Sequence, residues 1–226
     1  MTSLKQFFST PYGKFGAVLI PLLILGILAW QPIHVLNLQA RAGKIMVSYR
    51  EDFAPAYEGF LNCQVSLLTS LPKDESLQEG IVLLKKAREL TPFNAHTNYL
   101  LGGLYCLNGD FTQAVDAFAA FSTLRPQNPL GELEAAFAHL GIAFTSQDLT
   151  DLDRDFHKSQ GVQGLQRQGY SFEYFLTEGN AAFEEEAYPV AYLWYQVAAL
   201  FQPLPDEAAV RLSILEEYGE INFNNP

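Results

Sequence analysis

Between positions 95 and 128, apolar side chains recur every three or four residues in two blocks that a short polar break separates. In an α-helix this spacing puts the apolar side chains on one face, so each block is predicted to form an amphipathic helix. Gly109 and Asp110 form the break, and Pro126 ends the second block. The pattern therefore predicts two antiparallel helices joined by a tight turn. The apolar positions are Leu100, Leu101, Leu104 and Tyr105 in the first block, and Ala114, Phe118, Phe121 and Leu124 in the second.

The order of small and large residues in this stretch resembles the tetratricopeptide repeat, with one unit running from Ala95 to Asn128. Asn98 and Phe121 depart from the family pattern, which favours Trp and Ala at these positions. The resemblance implies an all-α solenoid of helical hairpins that stack and bury each other's apolar faces. The matching residues are Leu101, Gly102 and Tyr105 in the first helix, Gly109, Asp110 and Phe111 in the turn, and Ala114, Phe118, Leu124 and Pro126 in the second helix.

The rest of this region divides into related units. Residues 172–205 form a second match, whereas residues 129–171 form a degenerate repeat with about nine additional residues, placed around positions 145–168. Residues 39–94 are predicted to hold linker helices and a degenerate first repeat, of which only the second helix matches. Residues 206–226 form a predicted capping helix and tail. The matching residues are Gly80, Leu84, Ala87, Leu90 and Pro92 in the first repeat, and Gly179, Tyr188, Ala191, Tyr195, Ala198 and Pro203 in the last.

A long apolar segment lies near the amino terminus. The stretch Phe15–Trp30 is uninterrupted, and its extension to Leu38 gives 24 residues, which form a helix of about 36 Å. We predict a single transmembrane helix over Phe15–Leu38 after a short basic leader at residues 1–14. The alternative is a cleaved signal peptide, since Ala40, Arg41 and Ala42 have the small-x-small form. These residues lie far from Trp30, which favours the retained anchor.

Charge is distributed unevenly along the chain. Residues 1–50 hold five basic and no acidic residues (Lys5, Lys14, Arg41, Lys44 and Arg50), whereas residues 51–226 hold nine basic and 25 acidic residues, for a net charge of −16. Such an acidic domain repels phosphate, so nucleic acid is not an expected partner. The early apolar segment with a basic leader predicts a single-pass bacterial inner-membrane protein whose carboxyl-terminal domain lies outside the cytoplasm. Cys63 and Cys106 leave a disulfide and two free thiols as open alternatives.

The sequence holds no enzymatic motif that would indicate catalysis. It contains no phosphate-binding loop, dinucleotide fingerprint or nucleophile elbow. Residues 151–155 resemble the start of a calcium loop, but the sixth position is Phe156 and the twelfth is Val162. We therefore predict no enzyme, no cofactor and no metal site. The four histidines, His34, His96, His139 and His157, form no local ligand motif.

The family resemblance implies a concave groove that is lined by the first helix of each hairpin. This groove is apolar in its middle and lacks the basic pattern with which some family members hold a peptide's terminal carboxylate. An apolar groove of this kind indicates a partner, or an internal segment that fills it. In the second reading, residues 45–71 fold back over the groove. The implied groove residues are His96, Tyr99, Cys106 and Leu107, then Leu130, Leu133, Phe137 and Leu140, then Glu173, Leu176, Asn180 and Phe183.

The sequence thus predicts a membrane-anchored scaffold or assembly factor that binds a partner segment in the groove. Its expected partners are other proteins, either membrane-complex subunits or exported proteins. The alternative is a permanent structural subunit of a larger membrane complex. An enzyme is the least favoured class, because only scattered carboxylates support it.

Overall fold

The computed structural model describes the backbone of residues 11–223 and the side chains of residues 30–217. Its first helix, α1 (Pro11–Phe53), has 43 residues and a length of about 64 Å. This helix continues past Leu38, where the sequence predicts the end of the anchor. Most side chains of the predicted anchor, Phe15–Leu38, and most of the leader lie outside the described residues. Among the described residues, no helix combines the length and the apolar character that crossing a membrane requires.

The structure confirms the predicted all-α class. From residue 11 to residue 223 it contains ten α-helices and one short 3-10 helix (Pro55–Tyr57), without strands. After α1, the helices are α2 (Asn62–Leu68), α3 (Glu75–Leu90), α4 (Ala95–Leu107), α5 (Phe111–Leu124), α6 (Pro129–Thr145), α7 (Asp151–Arg167), α8 (Phe172–Glu184), α9 (Tyr188–Phe201) and α10 (Asp206–Phe223).

Local sequence signals set the ends of the central helices. Asn94 caps α4, since its Oδ1 atom accepts the backbone N–H of Thr97 at 3.0 Å. Asn128 caps α6 by accepting the backbone N–H of Leu130 at 3.0 Å. After α4, Gly109 has a φ of +78°, a left-handed conformation that glycine adopts without a Cβ clash. The hairpin of α4 and α5 therefore begins and turns where its sequence indicates.

Most helices pair in hairpins: α4 with α5, α6 with α7, and α8 with α9. A further pair joins the second half of α1 to α3. Gln31 donates a hydrogen bond to the carbonyl of Leu90 at 2.5 Å, and the hydroxyl of Tyr49 donates to the carbonyl of Pro72 at 2.5 Å. The earlier residue of α1 thus contacts the carboxyl-terminal end of α3, and the later residue contacts the chain just before α3 begins. The two helices therefore run antiparallel.

The segment predicted to begin the degenerate first repeat has a different role. We expect its first helix over residues 61–71, but the structure has the seven-residue helix α2 there. Because α1 already covers α3, α2 packs mainly against α4 and α6. Its buried side chains include Cys63, Val65 and Leu68. The apolar face of this segment therefore packs against α4 and α6 instead of against α3, the second helix of the predicted repeat.

The additional residues of the degenerate repeat at 129–171 lengthen both of its helices. Helices α6 and α7 have 17 residues each, compared with 13 in α4 and 14 in α5. The next hairpin, α8 with α9, contacts the preceding helices mainly through α9, which packs on α2 and α7. Trp194 of α9 is central to this contact: its ring centroid lies 6.1 Å from that of Phe60 and 6.2 Å from that of Phe137.

Candidate functional site

The face of α4 and α6 that carries the predicted groove is covered in its middle by residues 60–68 of the same chain. Helix α2 packs on both helices. A Cβ atom added to Gly103 of α4 would lie 2.8 Å from Nδ2 of Asn62, so the asparagine occupies the space directly above this glycine. This arrangement agrees with the alternative in which residues 45–71 fold back over the groove.

A disulfide bond links α2 covalently to α4. It joins Cys63 to Cys106, 43 positions later, with 4.8 Å between the Cα atoms. Both cysteines are fully buried. The structure therefore selects the disulfide from the two alternatives that the sequence leaves open, and one predicted groove residue, Cys106, is bonded to the segment that covers it.

Glu134 of α6 is a fully buried carboxylate that holds the amino-terminal end of α2. Its Oε1 atom accepts hydrogen bonds from the backbone N–H and the side-chain amide of Asn62, both at 3.1 Å, and Oε2 accepts the backbone N–H of Cys63 at 3.0 Å. Burial raises the pKa of this carboxyl, and the hydrogen bonds from Cys63 and Asn62 oppose the rise. Removing the carboxylate would leave these N–H donors buried without an acceptor.

The described residues contain one cluster of potential metal ligands, whose ligand atoms lie within 4.8 Å of one another. It consists of Cys63, Cys106 and Glu134. Both sulfurs are bonded in the disulfide, so neither is a thiolate, the form that binds a metal. The cluster as it stands stabilises the contact of α2 with α4 and α6.

Arg50 of α1 fixes the segment that leads into α2. Its guanidinium donates to the carbonyls of Tyr57 at 2.8 Å and Phe60 at 2.9 Å, and to Oδ1 of Asn62 at 3.3 Å. In the sequence Arg50 counts only as a basic charge beyond the predicted anchor. No local pattern indicates its role, because its partners are carbonyl oxygens of an irregular segment.

The groove positions on α8 are also contacted by the chain itself. Arg211 of α10 lies 4.7 Å from the ring centroid of Phe183 and forms an ion pair with Glu184 at 2.7 Å. Asn180 accepts a hydrogen bond from the hydroxyl of Tyr195 at 2.8 Å. The predicted capping helix therefore lies beside this end of the predicted groove.

The implied groove residues differ widely in exposure, and the structure does not bring them together as one open surface. Phe137 is 1% exposed and packs against Trp194, so Phe137→Glu is expected to unfold the protein. Cys106, Leu107, Phe137 and Leu140 are buried; Tyr99, Leu133, Leu176, Asn180 and Phe183 are half-buried; His96, Leu130 and Glu173 are exposed.

Beyond the carboxyl-terminal end of α2, this face opens into a pocket of about 770 Å³. Its walls combine apolar and polar side chains, and they include one predicted groove residue, Leu107. Asn108 lines the same pocket, and its buried Oδ1 atom has no hydrogen-bond partner within the described chain. Other lining residues are Ser66, Leu67, Ser70, Phe144, Leu193 and Gln196.

A second pocket, of about 700 Å³, lies between α1 and the first half of α4. It contains another predicted groove residue, His96, together with Leu36, Ala40 and Val47 of α1.

Compared with models of known protein families and with curated proteins, the sequence matches none.

Proposed function

We propose that this protein is a membrane-anchored scaffold of the tetratricopeptide type, which binds a segment of a partner protein in the 770 Å³ pocket beside α2. The pocket carries the proposal, because it opens beside α2 at the end of α4 that holds the predicted groove residue Leu107. A short peptide would place apolar side chains against Leu67 and Leu193 and polar groups beside Ser66 and Gln196.

The disulfide supports a position of the helical domain outside the cytoplasm. Disulfide bonds persist in oxidising compartments and are rare in the cytosol. The bond between Cys63 and Cys106 is buried, and no free cysteine occurs among the described residues. Partners on that side would be the outer parts of membrane-complex subunits or exported proteins.

The test is a pocket-filling variant of the full-length chain. Ser70 is exposed and lines the pocket, so Ser70→Trp fills space there without removing a core side chain. The matched control is Ser213→Trp, at an exposed serine of α10 that does not line the pocket. Both variants and the wild type are purified from native membranes in a mild detergent through the same tag, and the proteins that accompany them are quantified.

We expect Ser70→Trp to lose the companion protein while Ser213→Trp retains it, with unchanged helical circular dichroism for both. Retention of the same companion by Ser70→Trp at the wild-type ratio would contradict the proposal.

The exposed apolar side chains of α1 favour a second candidate, a permanent subunit of a membrane complex. Ile33 and Leu36 are each 62% exposed and Val47 is 52% exposed, although all three are large and apolar. In that case Val47→Glu, rather than Ser70→Trp, would remove a companion that otherwise purifies in a fixed ratio.

A further inference from the structure

The turn between α3 and α4 lies where α1 enters the helical domain. The side-chain amide of Gln31 donates to the carbonyl of Leu90, the last residue of α3, at 2.5 Å. Three positions after Leu90, Phe93 is 85% exposed, the largest exposed fraction of any large apolar side chain among the described residues. Trp30, one position before Gln31, is 68% exposed. Two aromatic side chains are therefore exposed at this end of the domain.

Contacts between α1 and α3 begin where the uninterrupted apolar stretch of the sequence ends. Val35 and Leu38 of α1 are buried and pack with Ala87 of α3, although the predicted anchor includes both. Protein rather than lipid therefore covers this face of α1 after Trp30. The part of α1 from Pro11 to Trp30 is about 30 Å long, which is the thickness of the hydrocarbon core of a bilayer. An anchored chain would accordingly leave the hydrocarbon near Trp30.

Basic side chains surround the same turn. The sequence from position 80 to position 100 holds three basic residues and one acidic residue, so its charge is +2 with histidine neutral, compared with −16 for residues 51–226. All four charges lie in the last two turns of α3. They are Lys85, Lys86, Arg88 and Glu89. This end of α3 is thus a basic region in an acidic domain.

The opposite end of these helices carries carboxylates instead. A Cβ atom on Gly80, in the first half of α3, would lie 2.8 Å from Leu104, near the end of α4, so the two helices run antiparallel. The chain at that end holds Asp74, just before α3, and Asp110, just after α4. An anionic membrane surface would therefore attract the end with Phe93 and repel the other.

We propose that the turn at residues 91–94 is a lipid-binding surface, which places Phe93 in the interface of an anionic bilayer that holds α1. This inference rests on the proposed membrane anchor but not on the partner-binding pocket. Aromatic side chains are enriched at the lipid–water interface. Arg88 and Lys86 lie about 3 Å and 6 Å before the end of α3 along its axis, and their long side chains can reach lipid phosphates from there.

This contact would orient the 770 Å³ pocket away from the membrane. Leu107 and Asn108 of the pocket wall lie at the end of α4, whereas α4 begins at Ala95 beside the proposed surface. Helix α4 has 13 residues, so about 20 Å separate its two ends. A partner segment could therefore enter the pocket without contacting lipid.

The experiment compares the depth of two labelled positions in vesicles. The sequence has two cysteines, and both are in the disulfide, so a thiol-reactive NBD fluorophore attaches only to an introduced cysteine. The variants are Phe93→Cys and, as the matched control, Leu152→Cys, at an apolar residue of α7 that is 81% exposed. Each labelled full-length chain is reconstituted into vesicles of phosphatidylcholine and phosphatidylglycerol in equal amounts. A second set of vesicles also contains a lipid with a nitroxide near the headgroup end of its acyl chain, which quenches nearby NBD.

We expect the label at position 93 to be quenched about threefold more than the label at position 152, and to emit at a shorter wavelength, because only the first lies in the interface. Equal quenching in chains that float with the vesicles would overturn this inference and leave the anchor standing. Chains that do not float with the vesicles would overturn the anchor and this inference together.

A second comparison tests the contribution of charge. In the labelled Phe93→Cys chain, Lys86→Glu reverses an exposed charge near the turn, and Lys158→Glu reverses a charge on α7 as its control. Lys86→Glu should reduce the quenching at position 93 by about half, as should vesicles of phosphatidylcholine alone, because both weaken the attraction to the anionic surface. Lys158→Glu should leave the quenching unchanged. Equal quenching under all of these conditions would overturn the assignment of this surface to anionic lipid.

Discussion

The hairpin of α4 and α5 and the hairpin of α8 and α9 share one internal contact but have different surroundings. In the first, Gly102 lies against the ring of Phe118; in the second, 77 positions later, Gly179 lies against the ring of Tyr195. Helix α4 nevertheless has ten buried residues of thirteen, whereas α8 has three of thirteen. The repeated pattern thus specifies how each hairpin closes, and the neighbouring elements determine how much of it is buried.

The neighbours of the two hairpins explain this difference in burial. Helix α4 contacts α1, α2, α3 and α5, and the disulfide joins it to α2. Helix α8 packs mainly on α9, which in turn carries the contacts with α2, α7 and α10. We call these two units the central hairpin (α4 and α5) and the last hairpin (α8 and α9). A change to α2 should therefore affect the central hairpin first.

The largest expected effect comes from removing the disulfide. Replacing Cys63 and Cys106 together with Ala releases a link between residues 43 positions apart, which should lower the free energy of unfolding by about 4 kcal/mol. Urea unfolding of the full-length chain in detergent measures the loss. Hydrogen exchange should show faster opening in α2 and α4, with a smaller change in α8.

A reductant tests the same link in the wild type. It should destabilise the wild type and leave the double variant unchanged, because the variant has no bond to reduce. A loss of protection that is as large in α8 as in α2 would contradict the distinction between the two hairpins.

A matched pair of glycine substitutions gives a smaller effect and compares the hairpins directly. A Cβ on Gly102 would lie 2.7 Å from two ring atoms of Phe118, and a Cβ on Gly179 would lie 2.9 Å from the ring of Tyr195. Gly102→Ala should cost about 2–3 kcal/mol, because α4 is enclosed and cannot move away. Gly179→Ala should cost about 1 kcal/mol, because α8 can shift towards solvent. Equal losses in urea unfolding would mean that burial outside the hairpin does not limit this relaxation.

The sequence predicts well what depends on neighbouring positions. Gly109 turns the chain after α4, and the apolar spacing of Ala95–Asn128 gives the two helices that the structure contains. These features follow from contacts within a few residues, and helical periodicity reports such contacts. The all-α class follows from them as well.

The sequence gives the fold-back of residues 45–71 over the groove only as an alternative, because it does not show the contacts that place α2 there. This placement depends on contacts such as Asn62 with Glu134, which are 72 positions apart and leave no periodic trace. One signal is present in the sequence: Glu134 comes four positions after Leu130 and three before Phe137, so this acidic residue lies on the apolar face of the predicted helix. A carboxylate at such a position is buried only when donors from elsewhere meet it, and the backbone N–H groups of α2 are those donors.

The contact between His139 and His157 and the role of Arg50 were not predicted for the same reason. His139 and His157 belong to two helices whose register is set by Gly161 and Gly164, and this register is not visible from the spacing of histidines. Arg50 binds main-chain carbonyls, which every sequence supplies equally. Side-chain identity indicates such contacts only after the packing of the helices is known.

The smallest predicted effect concerns the turns of the two hairpins, which differ by one residue at equivalent positions. Gly109 has a φ of +78°, and Glu186, which is 77 positions later, has a φ of +60°. This left-handed conformation is unfavourable for a residue with a Cβ atom, and Glu186 is exposed. Glu186→Gly should therefore stabilise the last hairpin by about 0.5–1 kcal/mol, since the relief of strain exceeds the added freedom of glycine in the unfolded chain.

The reciprocal variant, Gly109→Ala, isolates the same backbone effect in the central hairpin. A Cβ atom there would meet no other atom within 4 Å, so its cost should come from the backbone conformation alone, at about 1 kcal/mol. Thermal unfolding of both variants should give shifts of opposite sign and similar size. If Glu186→Gly instead lowered the melting temperature, the glutamate side chain would make a stabilising contact that outweighs the strain at its φ. The turns would then differ by more than their backbone conformation, and the two hairpins would not be interchangeable even where their patterns coincide.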